Sequence, residues 1–201
     1  MVDCELVRWC VASCPYVLNG ATLAFRNDRE IVKKALMADP RMFKSLRKEL
    51  RYDRELVMVA LMGYPSAVCY TDPTFRKDRE VMLHGVGQHC EQVLLYAHPD
   101  LIKDRAFVLE AVKRCGHSLR FFGRVMRNDR EIVMLAVKNQ SWQYAGKQFM
   151  GDHEFMLEAL KIPSFLLIFV DESIRNDLEI ITQAVKCQPK RCSVPNPNET
   201  W

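Results

Sequence analysis

The chain has 201 residues, of which 49% are hydrophobic and 27% are charged, and its formal net charge is +4. This composition is typical of one folded body and argues against wholesale disorder. The mild basicity falls well short of a dedicated nucleic-acid binder, and the absence of any run of about 18 apolar residues predicts that no helix spans a membrane.

One short motif returns along the chain: an aspartate followed two residues later by a glutamate. For example, "RNDREIVKKAL" at 26–36 is repeated as "RNDREIVMLAV" at 127–137. The aspartates recur about every 25 residues, a period that is typical of tandem repeats. They are Asp3, Asp28, Asp53, Asp78, Asp104, Asp129, Asp152 and Asp177. We therefore predict a single helical-repeat domain over 1–192, made of eight units (1–25, 26–50, 51–75, 76–101, 102–126, 127–149, 150–174 and 175–192) and followed by a flexible tail at 193–201.

The first part of each unit predicts an α-helix. Its aspartate, at unit position 3, is a favoured N-cap residue, and the glutamate at position 5 suits the positive end of the helix dipole. Apolar residues follow at positions 6, 7, 10 and 11, a spacing that places them on one stripe of a helix of about ten residues. Position 10 is always small, which lets a neighbouring helix approach closely; it is occupied by Cys10, Ala35, Ala60, Gly85, Ala111, Ala136, Ala159 and Ala184.

A helix breaker stands near unit position 15 in most units. Proline inside a helix costs about 3 kcal/mol, so we expect the first helix to end there. The breakers are Pro15, Pro40, Pro65, Gly116, Pro163 and Pro189. Cys90 and Ser141 occupy this place in the fourth and sixth units, where we expect the turn to be made by other means. The second half of each unit is apolar again and predicts a shorter, less regular helix, as at 42–50, 119–126 and 165–174.

Together these units predict an all-α fold, an α-solenoid of eight short helix-turn-helix repeats. A helix of about ten residues is marginal alone in water, so its apolar stripe needs a partner. The next unit supplies that partner, which makes the expected fold a one-dimensional stack.

At these residues the sequence resembles family 4116 of domains of unknown function. Members of that family carry tandem units with an N/D-D-R-E-[IVF]-V-x-x-A-V core, which "RNDREIV", "RYDRELVMVAL" at 51–61 and "KDRAFVLEAVKRCG" at 103–116 match. The resemblance covers essentially the whole chain and is strongest from 26 to 137. It implies tandem helical units, and it carries no catalytic or binding residues that can be transferred.

The arginine that follows the aspartate in five units is the main candidate for a binding site. Stacked units would set these arginines in a row along one edge: Arg29, Arg54, Arg79, Arg105 and Arg130. A row of guanidinium groups could grip phosphates. Alternatively, each arginine pairs with an acidic residue of an adjacent unit. We favour the second interpretation, because the charges of the motif cancel within a unit.

We expect no metal site, no cofactor and no catalysis. His84, His89, Cys90 and His98 are zinc-ligand types, but their spacing matches no metal motif. The sequence contains no Gly-rich phosphate loop, no H-E-x-x-H and no G-x-S-x-G. The N-terminus is acidic where a secretion signal is basic, so we expect a cytoplasmic chain with free cysteines.

The predicted architecture favours a non-catalytic interaction scaffold that binds a protein or peptide along one surface of the stack. Variable positions 8, 9 and 12 of the first helices are expected to carry specificity, for example Lys33, Lys34, Met58, Val59, Leu83, His84, Met134 and Leu135. Two alternatives stay open. One is a modular RNA- or nucleic-acid-binding repeat protein, which the charge balance makes unlikely, and the other is a structural module of a larger polypeptide. We expect no membrane partner, and the sequence does not determine the oligomeric state.

Overall fold

The computed structural model describes residues 4–162 and 170–187. Within these ranges every regular element is an α-helix or a 3-10 helix, which confirms the predicted all-α class. The long first helix of each unit takes the number of that unit as its label. These helices are α1 Cys4–Ser13, α2 Arg29–Ala38, α3 Arg54–Gly63, α4 Arg79–Leu94, α5 Arg105–Arg114, α6 Arg130–Lys138, α7 His153–Ala159 and α8 Leu178–Cys187.

Proline and glycine end four of the first helices as the sequence predicts. The helices α1, α2 and α3 each end two residues before a proline, and that proline opens a 3-10 helix. Proline is well suited to the first position of a helix, because the N–H that it lacks would have no partner there. In the fifth unit Gly116 takes this role, and a Cβ on it would lie 2.7 Å from Asn139 Cβ. The next unit therefore packs too closely for a larger residue at this position.

The sixth unit has no proline or glycine at this place, and α6 ends in a Schellman motif. Gln140 has a φ of 56°, the left-handed conformation that ends many helices. The N–H of Ser141 donates to the carbonyl of Ala136 at 2.8 Å, and the N–H of Gln140 donates to the carbonyl of Val137 at 2.9 Å. Backbone hydrogen bonds thus make the turn that a breaker makes elsewhere.

The fourth unit also lacks a breaker, and here the expected helix length of about ten residues is wrong. The helix α4 continues past Cys90 to Leu94. It bends along the way, since a Cβ on Gly85 would lie 2.9 Å from Val93 Cγ2. Residues eight apart in a straight helix are about 12 Å apart. The chain therefore changes direction within the helix, next to glycines that weaken it.

The second half of most units contains two short elements, and not the one short helix that we predicted. Few residues separate the breaker from the next aspartate, and two tight turns fit there better than one regular helix. The 3-10 helices are Pro15–Gly20, Pro40–Ser45, Glu49–Tyr52, Pro65–Cys69, Pro73–Arg76, Gly116–Phe121, Trp142–Tyr144 and Lys147–Met150. The short α-helices are Leu23–Asn27, Pro99–Lys103, Arg124–Arg127 and Glu172–Arg175. The predicted segment 165–174 lies partly outside the described residues.

The predicted apolar stripe forms the core. In the second and sixth units its residues are at most 1% exposed: Ile31, Val32, Ala35, Leu36, Ile132, Val133, Ala136 and Val137. The first helices pack on one another in chain order, α1 on α2, α2 on α3, α3 on α4, α4 on α5, α5 on α6, and α7 on α8. Full burial of a Val, Leu or Ile side chain contributes roughly 1.5–3 kcal/mol, so these contacts dominate the stability of each unit.

A helix that spans a bilayer needs about 20 mainly apolar residues. None of the described helices is both long enough and apolar enough to cross a membrane.

Candidate functional site: the arginine clamps and the first-helix face

The unit aspartates cap the helices that follow them. Asp28 Oδ1 accepts hydrogen bonds from the backbone N–H groups of Glu30 and Ile31, at 2.9 and 3.1 Å. Equivalent bonds are made by Asp53, Asp78, Asp104, Asp129, Asp152 and Asp177. They satisfy donors that the start of a helix leaves without partners. Asp3 lies outside the described residues.

A carboxylate oxygen also faces an arginine of the preceding unit in Asp53, Asp78, Asp104, Asp129 and Asp152. Arg29 Nε donates to Asp53 Oδ2 at 2.6 Å, and Arg105 Nε donates to Asp129 Oδ2 at 2.7 Å. We call each such arginine, together with the carboxylates that it contacts, an arginine clamp. The clamps are formed by Arg29, Arg54, Arg79, Arg105 and Arg130. One aspartate therefore starts its own helix and also holds the preceding unit.

The glutamate two residues after the aspartate completes three of the clamps. Arg105 Nη2 donates to Glu131 Oε2 at 2.6 Å, so that one guanidinium contacts two carboxylates. The equivalent pairs are Arg29–Glu55 and Arg54–Glu80. Arg79 contacts Asp104 at 2.9 Å without such a glutamate, because Ala106 stands in that place.

Arg130 connects α6 to α7 through a different set of contacts. Its Nη2 donates to Glu158 Oε2 at 3.0 Å, and its Nη1 lies 3.8 Å from Asp152 Oδ2. The guanidinium carbon also lies 5.5 Å from the centre of the Phe155 ring, within the range of a cation–π interaction. The arginine at unit position 4 thus bridges this interface, as it does in the other four clamps.

The clamps of Arg29 and Arg105 lower the pKa of their aspartates. Hydrogen bonds from Arg105 lower the pKa of Asp129 below its ordinary value, although partial burial opposes the shift. Burial raises the pKa of Asp53, but bonds from Arg29 and from backbone N–H groups outweigh it, so the net pKa is lowered. The bonds to Asp129 and Glu131 in turn raise the pKa of Arg105. The Arg29–Asp53 and Arg105–Asp129 pairs therefore remain ionised through the neutral pH range.

These contacts bear on the two interpretations of the arginine row. Every one of the five guanidinium groups contacts a carboxylate of the next unit. The positive charge that phosphates require is therefore balanced locally. The geometry favours the interpretation in which the arginines join neighbouring units.

The seventh unit carries a variant of the clamp that our sequence analysis missed. His153 stands where other units have the arginine, and its Nε2 lies 3.4 Å from Asp177 Oδ2. Asp177 Oδ1 still caps α8 by accepting from the N–H of Glu179 at 2.7 Å. Aligning the units at their aspartates is enough to reveal this substitution, because "GDHEF" replaces "NDREI".

Positions 8, 9 and 12 of the first helices form a second candidate surface, which we call the first-helix face. Position 8 is apolar in the third to seventh units, where its side chains pack against the core: Met58, Leu83, Leu109, Met134 and Leu157, all partly buried except the buried Leu83. Position 12 is exposed and changes character along the chain. Met37 and Met62 are 69% and 54% exposed there, whereas the later units carry exposed Lys113, Lys138, Lys161 and Lys186. The sequence analysis named positions 8, 9 and 12 as variable positions expected to carry specificity, and it did not describe this division.

The histidine and cysteine candidates of the fourth unit are only partly described. His98 caps the short helix Pro99–Lys103, since its Nδ1 accepts from the N–H of Asp100 at 3.2 Å. His84 is partly buried, and its Nε2 has no hydrogen-bond partner. The side chains of His89 and Cys90 lie outside the described part of the structure. A structural role is therefore visible for His98, and nothing among the described atoms assigns a metal to this group.

Taken together, the fold and the clamps define an all-helical tandem-repeat protein. The family model described as Domain of unknown function (DUF4116) matches the chain four times in tandem, at residues 3–51, 53–102, 104–150 and 152–192. The chain therefore belongs to this family, and the resemblance noted in the sequence is confirmed. Each match begins at or next to a unit aspartate and takes in two of the units defined above. Searches of curated proteins and of solved structures gave no match.

Proposed function

We propose that the protein is a non-catalytic scaffold, an α-solenoid of eight units that binds a protein or peptide along its first-helix face. The stack is supported by the chain-order packing of the first helices and by clamps that join each arginine to the next unit. Elements that contact mainly their sequence neighbours are typical of solenoids, which expose long surfaces suited to extended partners.

The division of the first-helix face is the observation that carries the binding proposal. Position 8 is apolar from the third to the seventh unit, and position 12 presents methionines in the second and third units and lysines in the fifth to eighth units. Methionine is over-represented at adaptable binding surfaces, and lysine at this place attracts acidic groups. We infer a partner segment with apolar residues against the early units and acidic residues against the later ones.

The polar contacts of the core support the non-catalytic part of the proposal. Ser141 Oγ lies 3.0 Å from His117 Nδ1, a pairing that could suggest a nucleophile and its base. Ser141, however, is fully buried, and its hydroxyl also donates to the carbonyl of Asn139. A hydroxyl without solvent access cannot meet a substrate, so this pair is better explained as a contact between neighbouring units.

A pair of matched charge-reversal variants tests the binding face. The first variant changes Lys113, Lys138 and Lys161 to glutamate, and the control changes Lys44, Lys48 and Lys77, which are exposed lysines outside the first helices, to glutamate. Both variants have the same net charge. Affinity capture from the native lysate with quantitative mass spectrometry should recover a protein with wild type and control and about tenfold less of it with the first variant. Equal recovery by all three would contradict the proposed face.

Experiments on the wild type and the two variants also distinguish the scaffold from the two alternative functions. A nucleic-acid binder would bind a labelled single-stranded RNA with an affinity that falls steeply as salt rises. Because carboxylates balance the charge of the clamp arginines, we expect no salt-dependent RNA binding in fluorescence anisotropy. A chain that captures no protein in any form would favour a structural module of a larger polypeptide.

A further inference from the structure

We infer that His153, Asp177 and Glu179 form a binding site for a divalent transition-metal ion such as Zn²⁺, between the seventh and eighth units. One nitrogen or oxygen atom from each of these side chains lies within 4.8 Å of the others. Among the described residues this is the one group of three such side chains that comes so close together. Imidazole nitrogen and carboxylate oxygen are both ligands that zinc takes in proteins.

The other units show that this pair of carboxylates binds a cation. Asp53 with Glu55, Asp78 with Glu80, and Asp129 with Glu131 occupy the same unit positions as Asp177 with Glu179, and each pair contacts one guanidinium. In these three units, the two carboxylates therefore form a site for a cation from the preceding unit. At the last interface the carboxylates remain, but the arginine is replaced by His153, whose side chain is shorter and offers a metal ligand.

Charge explains why a divalent ion suits this interface. An arginine clamp with two carboxylates carries a net charge of −1, whereas two carboxylates with a neutral imidazole carry −2. A bound Zn²⁺ makes the group neutral. A ligand atom must also be accessible to the ion. As in the clamp aspartates, Asp177 Oδ1 caps α8, while Asp177 Oδ2 lies 3.4 Å from His153 Nε2.

The required movement is small. Zinc–nitrogen and zinc–oxygen bonds are about 2.0–2.2 Å, so ligand atoms around one ion lie up to roughly 4 Å apart. Glu179 is exposed, and rotation of its side chain can bring its carboxylate to the ion. His153 and Asp177 are partly exposed, so that water can complete the coordination.

Calorimetric titration of the full, metal-free chain with ZnCl₂ tests the site. Cysteine thiolates are zinc ligands in general, so the decisive quantity is the difference between variants that keep the same cysteines. His153→Ala should remove one binding event, and Glu179→Gln should weaken that event by about tenfold or more. His98→Asn, which removes a histidine elsewhere and leaves a capping side chain, should bind zinc as the wild type does.

His153→Arg separates loss of the metal from loss of the fold. This variant should no longer bind zinc at this site, and its melting temperature without metal should equal or exceed that of the wild type, because it restores an arginine clamp. Zinc should raise the melting temperature of the wild type but not of His153→Arg. The inference is overturned if the wild type, His153→Ala and His153→Arg give the same zinc titration and the same zinc-dependent change in melting temperature.

Discussion

Two interfaces between neighbouring units differ by one carboxylate. Between the fifth and sixth units, Arg105 contacts both Asp129 and Glu131. Between the fourth and fifth units, Arg79 contacts Asp104, and Ala106 replaces the glutamate. At both interfaces the position 6 and 7 side chains of the first helices are fully buried: Val81, Met82, Phe107, Val108, Ile132 and Val133.

The comparison indicates how much the core and the clamps each contribute to the association of neighbouring units. The first helices pack on one another at both interfaces, whether the arginine has one carboxylate partner or two. Exposed ion pairs contribute little to stability, whereas buried apolar side chains contribute much. We therefore attribute the association of neighbouring units mainly to the apolar stripe, and we expect the clamps to adjust stability and to fix the helix starts.

The largest effect is expected from the core that both interfaces share. Phe107 is fully buried, and Phe107→Ala should lower the free energy of unfolding by about 3–5 kcal/mol, because it removes apolar contact and leaves a cavity. The matched control is Val125→Ala at a side chain that is 80% exposed, which should change stability by less than about 0.5 kcal/mol. Urea unfolding measures both. Similar losses in the two variants would contradict the dominance of the stripe.

A smaller effect is expected at the aspartate that serves two units. Asp129→Ala removes the helix cap and the clamp together and should cost about 1–2 kcal/mol. Asp129→Asn keeps a side chain that caps well but removes the charge that Arg105 contacts, so its loss should be smaller. Urea unfolding of the two variants separates capping from clamping. An equal loss in both would mean that the charge, and not the cap, carries the effect.

Acid should weaken the two-carboxylate clamps in a predictable direction. Arg105 and backbone N–H groups lower the pKa of Asp129 in the folded chain, so the folded state binds its proton less readily than the unfolded state does. That stabilisation is complete above the unfolded pKa of about 4 and is lost as pH falls through the folded value. Urea midpoints at pH 7 and pH 3 should therefore differ less in Asp129→Asn than in wild type. An identical difference in the two proteins would refute this linkage.

The smallest effect is expected from completing the incomplete clamp. Ala106 is exposed, so a glutamate fits there and places a second carboxylate near Arg79. Ala106→Glu should stabilise the protein by about 0.5 kcal/mol or less, because the new ion pair is exposed to solvent. Ala106→Gln, which has the same size without charge, is the control. In thermal unfolding, the melting temperature of Ala106→Glu should exceed that of Ala106→Gln. The reverse order would show that the second carboxylate does not stabilise the protein.

Much of the fold could be predicted because short residue patterns, repeated along the chain, specify where helices begin and end. An aspartate before an apolar stripe marks a helix start, and a proline marks a helix end. The sequence therefore predicts both ends of α2 and α3. The end of α6 could not be predicted in this way. It depends on the left-handed conformation of Gln140, and no residue type demands that conformation there.

The second halves of the units and the candidate sites were harder to predict for a different reason. The apolar residues of segments such as 42–50 and 119–126 predicted one short helix, but the folded chain divides each segment between two short elements. The partner of Arg105 lies 24 residues away, and sequence alone left open whether it was Asp129 or a phosphate. The role of His153 depends on the same alignment of neighbouring units in space.

The stack itself is tested most directly by a distance between two units that are not neighbours. Met37 and Lys138 are exposed residues at position 12 of the second and sixth units. Spin labels attached to ketone-bearing residues at these two positions avoid the native cysteines, and pulsed electron resonance measures their separation. Four helix-to-helix steps of about 9 Å predict a separation of roughly 35 Å. A separation below roughly 20 Å would mean that the units fold back on one another as a bundle and would contradict the stack.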